Sequence, residues 1–269
     1  MPGHAEEALT AGRRTGSVLG VPIDALKNEE AIGRIMCWAR DRESRYVTIC
    51  NAHVVVTASR EPVYREVIAG SDMATPDGAP VAWMLRRQGF AGQHRVSGPD
   101  LMWDLLDQCQ RNSVPVYFYG STPEILQRLE HRLLASFPGL RIAGTASPPF
   151  RPLSAMEDTA DVAAINASEA GIVFVGLGCP KQERWMAAHR GRVQAVMIGV
   201  GAAFDFHAGT ISRAPEWMRS NGLEWLHRFA SEPKRLWRRY LVTNTLFIVG
   251  ATWQLLTGQK VEENSWQKE

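Results

Sequence analysis

The chain has 269 residues, of which 45% are hydrophobic and 22% charged, with a formal net charge of +2. That length buries a full core, in one large domain or a domain with an appendage, and the near-neutral balance excludes a protein that holds nucleic acid by bulk charge. The charge is uneven: between Arg213 and Arg239 seven Arg or Lys stand against three Glu, which points to an anionic partner at one place.

The opening MPGHAEEALTAGRRTGS has no apolar core of a secretory signal. Residues 1–17 read as a flexible tail, and the protein as cytoplasmic. Cys37, Cys50, Cys109 and Cys179 form no CxxC pair. They read as free thiols of a reducing compartment, neither a disulfide frame nor a zinc site.

Apolar runs of strand length then alternate with segments of helical period. SVLGVPI reads as a strand and NEEAIGRIMCWARD as a helix with Glu29 and Glu30 in its first turn. RYVTIC is a buried strand leading into NAHVVVTASR, and APVAWMLRR and GPDLMWDLLDQCQRN are helices. VPVYFYG is a strand. It is followed by a helix start with Ser121 or Thr122 as cap, an early Pro123 and Glu124 near the capping-box position. LRIAGTAS, GIVFVGLG and QAVMIGVG are further strands, separated by helices. This alternation predicts a Rossmann-like α/β domain over 18–212, a mostly parallel sheet with helices on both faces. Ligands of such sheets sit beyond the carboxyl ends of the strands, here Asn51, residues 75–78, 120–122, 176–181 and 199–205.

Several of those positions could carry chemistry. GLGCPKQE, with Gly176, Gly178, Gln182 and Glu183, follows a strand and opens a helix, where amides attract phosphate. Lys181 stands at the third glycine of a dinucleotide fingerprint, and Phe204 does so in GVGAAF, which contains Gly201. A nucleotide site of another kind and a plain tight turn both stay open. Asp77 in TPDGAP is either a general base or a turn carboxylate. In RVSGPD, Asp100 fits a helix start beside Gly98 and Pro99, while Arg95 could hold a phosphate or a carboxylate. Asp205 and His207 form a DxH pair without a third ligand at matching spacing, a weak metal signal. No DxD is present. A diphosphate would therefore be neutralised by arginines and backbone amides.

In order, DG after a strand, RVSGPDLM, YFYGSTPEIL, GLGCPKQERWM, IGVGAAFDFHAGTISRAPEWM and GLEWLHRFASEPKRLWRRY closely resemble the WecG/TagA/CpsF family of bacterial glycosyltransferases (glycosyltransferase family 26). The resemblance covers roughly residues 20–240, and its last two blocks are the most specific. It implies a GT-E-like, metal-independent, inverting enzyme without a cofactor. Such an enzyme moves a sugar from a UDP-sugar (N-acetylmannosamine, its uronic acid or glucose) to a polyprenyl-diphosphate-linked saccharide, in surface or exopolysaccharide assembly. By position, Asp77 matches the family's proposed base. Arg228, Arg235 and Arg238 match arginines of its C-terminal appendage that steady the departing diphosphate. Asn51 matches a pocket residue, and Gln182, Glu183 and Asp205 fall in signature loops assigned to donor binding. Many members have Thr-x-Asn where this chain has Ile49-Cys50-Asn51.

From about residue 213 the sequence is helical, basic and aromatic, and 213–269 read as a C-terminal appendage. Pro233 predicts a break between two helices. The apolar run 241–256 is about 16 residues, short of the roughly 20 of a spanning helix. Basic residues with Trp237, Tyr240, Phe247 and Trp253 fit a helix lying on an anionic inner-leaflet surface. The alternatives are packing against the core or against a second subunit in a homo-oligomer. Two other functions stay open from the residues alone: another nucleotide-dependent α/β enzyme, and a non-catalytic membrane-bound adaptor.

Overall fold

The computed structural model describes residues 13–220, 222–231 and 233–258, with the side chains of Ser220, Arg235, Arg238 and Arg239 outside that description. Its centre is a parallel sheet of β3 (Arg45–Cys50), β4 (Met73–Pro76), β5 (Val116–Gly120), β6 (Ile142–Ala146), β7 (Ile172–Gly176) and β8 (Val196–Gly199), in the order β4-β3-β8-β7-β5-β6. The strands are nearly unbroken apolar runs because both faces are covered.

Alternation along each strand divides the core. Val47, Ile49, Phe118, Phe174 and Ile198 point to one side, with Ile35, Leu105 and Leu129 from α1 (Asn28–Arg40), α5 (Gly98–Asn112) and α6 (Pro123–Ser136). Tyr46, Tyr119, Val173, Val175 and Met197 point to the other, with Ile165 of α7 (Ala155–Ala167) and Met186 of α8 (Lys181–His189). Thr122 caps α6 by accepting the amide of Ile125, one of the two candidates its sequence offered. The four cysteines are free thiols, with Cys50 and Cys109 buried.

A third cluster lies at the β3–β4 edge. It joins α2 (Ala52–Arg60), α3 (Pro62–Ala69) and α4 (Ala79–Arg87) to a hairpin of β1 (Thr15–Val18) and β2 (Val21–Asp24). SVLGVPI is thus two antiparallel strands and not one, and residues 15–17 belong to β1 rather than to a tail; residues 1–12 lie outside the described residues. The chain turns at Leu19 and Gly20 with φ of 52° and 77°. Positive φ at both central residues is what a two-residue I′ turn requires. A leucine there carries no turn signature, so the apolar run hides the reversal.

The short α9 (Ala203–Ala208) follows β8, and the C-terminal part is α10 (Glu216–Ser220), α11 (Glu224–Ser231) and α12 (Pro233–Thr257). The helix break falls at Pro233 as expected. α11 and α12 pack through Trp225 and Phe229 around the Tyr240 ring. Phe247 and Ala251 of α12 are buried in the third cluster, so this helix lies on the domain. The residue α12 turns toward Leu19 is Gly250, where a Cβ would fall 2.8 Å from Leu19 Cδ2. No helix among the described residues is long and apolar enough to cross a membrane.

Candidate active site

Two neighbouring strand ends bring the first pair of polar residues together. β3 and β4 run in register from Val47↔Met73 to Cys50↔Pro76, and the amide of Asp77 donates to the Cys50 carbonyl at 3.1 Å. Asn51 therefore stands beside Asp77. Asn51 caps α2: its Oδ1 accepts the amides of His53 and Val54 at 3.0 and 3.2 Å. With that oxygen taken, the side-chain NH2 is the end that serves the Asp77 carboxylate.

Asp77 lines a cavity of about 640 Å³ together with Asn51, His53, Arg95, Glu224 and Arg228. Burial pushes its carboxyl up to about 6. The negative charges of Glu224 and Asp100 act in the same direction, and Arg95 and the Asn51 hydrogen bond oppose them. A carboxyl with that pKa is a free base at neutral pH yet holds a proton well enough to take one.

Arg95 reaches the cavity because the amide of Val96 donates to the Pro76 carbonyl at 2.8 Å. Its Nη1 donates to Glu224 Oε2 at 2.8 Å, and its Nη2 lies 3.9 Å from Asp100 Oδ2. Asp100 also accepts from Ser97 Oγ at 2.5 Å and pairs with Arg213 at 2.8 Å and Arg219 at 3.4 Å. Burial alone would raise the Asp100 carboxyl, but the bonds from Arg213 and Ser97 outweigh it and hold it below its ordinary value. This ionic lattice ties the loop before α5 to the segment from Arg213 to Glu224. The chain enters α11 through Gly222, at φ of 72°, where a Cβ would lie 2.7 Å from the Cβ of Ala79. Only glycine lets α11 approach α4 so closely.

The far wall of the cavity is α12. Thr243, Phe247, Ala251 and Leu255 face in, with Trp83 of α4 and Trp225 of α11 beside them. The lining therefore combines ionic residues with aromatic and aliphatic ones. Arg228 lines it too, its guanidinium 5.4 Å from the Phe206 ring centroid. Among the described residues its Nε is buried without a hydrogen-bond partner. Arg235 and Arg238 lie on α12, but their side chains are outside the described residues.

The remaining candidates, apart from Gly98 at the start of α5, form a second group at the ends of β5, β7 and β8, and none of them lines this cavity. Gly120 and Gly176 pack backbone to backbone: a Cβ on Gly120 would lie 2.7 Å from the Gly176 carbonyl. Gln182 Oε1 accepts the Gly178 amide at 3.2 Å, and its side chain also lies against Gly199 and Gly201. Gln182 Nε2 donates to Glu183 Oε1 at 2.8 Å. Glu183 is fully buried, and that burial raises its carboxyl above its ordinary value. These two side chains thus support the loops from beneath. Asp205 accepts from the Thr210 hydroxyl at the start of α9. Gly98 packs on Ile49 and on the Val200 carbonyl. Ile49 itself is in the core.

His207 of the DxH pair donates from Nε2 to the Pro99 carbonyl at 3.0 Å and stacks on Trp103. Burial lowers its imidazole to about 4. Among the described residues no group of three His, Cys, Asp or Glu is placed to hold a metal ion.

Comparison with known proteins identifies the family. Residues 16–261 match the model of the "Glycosyl transferase WecG/TagA/CpsF family". The chain belongs to this family. It is a glycosyltransferase, which sets aside the alternatives of another nucleotide-dependent enzyme and of a non-catalytic adaptor. A curated relative from Bacillus spizizenii is 33% identical over 198 residues, covering 73% of this chain and 74% of its own length. It is named N-acetylglucosaminyldiphosphoundecaprenol N-acetyl-beta-D-mannosaminyltransferase.

Sequence reasoning missed Glu224, His53, Trp83 and the inward face of α12. The GLEW block contained Glu224, but only the fold brings it to Arg95, 129 positions earlier.

Proposed function

We propose that this glycosyltransferase moves a sugar from a UDP-sugar to a saccharide carried on a polyprenyl diphosphate, with inversion at the anomeric carbon. The observation that carries the reading is the mixed lining of the cavity, with Asp77, Arg95 and Glu224 among its charged residues and Phe247, Ala251 and Leu255 among its apolar ones. An acceptor with a sugar hydroxyl at one end and hydrocarbon at the other has that same mixed character. The acceptor in the name of the Bacillus spizizenii relative is of this class, and N-acetylmannosamine is the first donor sugar to test.

In this reading Asp77 takes the proton of the acceptor hydroxyl as its oxygen attacks the anomeric carbon from the face opposite the UDP. The bond to the diphosphate breaks in the same displacement. Asn51 holds the Asp77 carboxylate in place. Arg228 meets charge that builds on the diphosphate, with Arg235 and Arg238 as its expected companions. The guanidinium groups take the part a divalent metal plays elsewhere. The loops around Gly120, Gly176, Gly178 and Gly201, with Asp205, are the expected donor side.

The outward face of α12 supports docking on a membrane surface. Leu241, Val249, Trp253 and Leu256 are all more than half exposed. Such a face, after a basic segment, fits the interface of an anionic inner leaflet, where a polyprenyl-linked acceptor resides.

The test is UDP release from a panel of UDP-sugars, with and without a short polyprenyl-diphosphate saccharide, in EDTA. Acceptor-dependent release with one donor, abolished by Asp77→Asn, is the expected result. Release that needs no acceptor, or that survives Asp77→Asn, would overturn the reading.

A further inference from the structure

We propose that Glu224 is a positioning residue for the transfer: it holds the Arg95 guanidinium away from Asp77, so that the docked C-terminal segment leaves the catalytic carboxylate without a paired cation. This rests on the reading of Asp77 as the base.

Asp77, Arg95 and Glu224 line one cavity. The guanidinium is placed among three carboxylates: Glu224 takes it with a 2.8 Å hydrogen bond, Asp100 lies 3.9 Å from its Nη2, and Asp77 lines the same cavity and feels its charge. Arg95 acts on Asp77 only through its charge, while Asn51 supplies the hydrogen bond. The Arg95–Glu224 pair is well shielded, with side-chain exposures of 20% and 17%. Glu224 is fixed from behind, since Arg213 Nε lies 3.6 Å from its other carboxylate oxygen while Arg213 Nη1 is held by Asp100.

The groups facing Asp77 come from every neighbouring element. They are Asn51 and His53 at the start of α2, Arg95 before α5, Asp100 in its first turn, Glu224 and Arg228 on α11, and Tyr240 on α12. Among them Glu224 has two effects of the same sign. Its charge disfavours ionisation of Asp77, and its hydrogen bond keeps Arg95 from closing a paired contact with Asp77. A carboxylate paired to arginine is a far weaker base, its pKa lower by about 1–3 units. With Glu224 absent, Arg95 is left between Asp100, already 3.9 Å from its Nη2, and Asp77, and a contact with Asp77 quenches the base. Glu224 touches neither the acceptor hydroxyl nor the anomeric carbon in this scheme; it acts through Arg95.

The experiment is the pH dependence of acceptor-dependent UDP release by full-length wild type, Glu224→Gln, Glu224→Asp and Asp77→Asn, with folding followed by thermal melting. Wild type should lose activity as pH falls through about 6. Glu224→Gln should move that acid limb down by about one unit or more and lower the plateau by roughly 10–100-fold. Glu224→Asp keeps the charge and should return the limb toward the wild-type position. Should Glu224→Gln not fold, the limb of Glu224→Asp decides: a position below wild type supports the assignment, and an unmoved limb overturns it. A limb that stays put while Glu224→Gln loses activity would mean a merely structural role and overturn it, as would wild-type behaviour of Glu224→Gln. Turnover by Asp77→Asn would instead remove the base itself, and this inference with it.

Discussion

The backbone amide of Leu19 donates to the side-chain oxygen of Gln254 at 2.7 Å, joining positions 235 apart. Gln254 Nε2 donates in turn to the Ser17 carbonyl at 2.6 Å. One amide side chain thus staples the last turns of α12 to the β1–β2 hairpin. Gln254→Leu removes both bonds and leaves the Leu19 amide without that acceptor, at a cost of about 1–3 kcal/mol. Urea unfolding should show the loss, and limited proteolysis should cut within α12 sooner than in wild type.

Asp77→Asn should separate activity from stability. Losing a general base costs about 10²–10⁴ in rate. The stability change has the opposite sign. The folded pKa of Asp77 is raised from 3.8 to about 6. The native state therefore binds more protons than the unfolded chain between those values, and stability falls as pH rises through that window. Asn carries no such cost and can still accept the Asn51 amide. The variant should be more stable than wild type by about 1–3 kcal/mol at pH 7–8, an advantage that fades below pH 4. Melting temperatures at the two pH values, beside the turnover assay, check both halves.

Gly176→Ala should damage the donor side without touching Asp77. The added Cβ would fall 2.7 Å from ring atoms of Phe204, a fully buried side chain. Overpacking of this kind costs about 1–3 kcal/mol. Calorimetry should find UDP affinity reduced, with the acid limb of the remaining activity unmoved.

The two sides of α12 should respond differently to truncation. Leu241 and Val249 are each 62% exposed. Changing both to Ser should leave folding within about 0.5 kcal/mol per site while weakening sedimentation with anionic vesicles. Phe247 is 5% exposed in the core cluster beside α2, and Phe247→Ala should cost about 3–5 kcal/mol. Vesicle binding unaffected by the Ser pair would rule out this face as the docking surface.

Much of the domain was legible because its signals are local. RYVTIC is β3 to the residue, and Thr122, Pro123 and Glu124 open α6 through short-range capping. The position of Asp77 and Asn51 at neighbouring strand ends was legible because RYVTIC and the run before Asp77 read as strands of a parallel sheet, whose carboxyl ends are where ligands sit. The β1–β2 turn was not, since Leu19 supplies no turn chemistry. Glu183 read as a ligand-facing charge because nothing in GLGCPKQE reveals that the first turn of α8 is buried there. The run 241–256 read as a helix for an anionic surface, with packing against the core or a second subunit as alternatives, and half of it closes the cavity. Which half depends on the direction from which α2 and the hairpin approach, a tertiary fact with no local trace.

Successive residues of a helix advance by about 100°, and α12 spends that rotation on three neighbours: the cavity at Phe247 and Leu255, the hairpin at Gly250 and Gln254, and the exterior at Leu241 and Val249. Removing Val242 would bring Ala251 to the place of Gly250, against Leu19, and Leu255 to the place of the stapling Gln254. Each sector would receive the residue meant for the next. Length, more than spelling, is thus the inherited constraint on this helix: substitutions outward of the cavity can accumulate singly, whereas a gained or lost codon throws every later position out of phase.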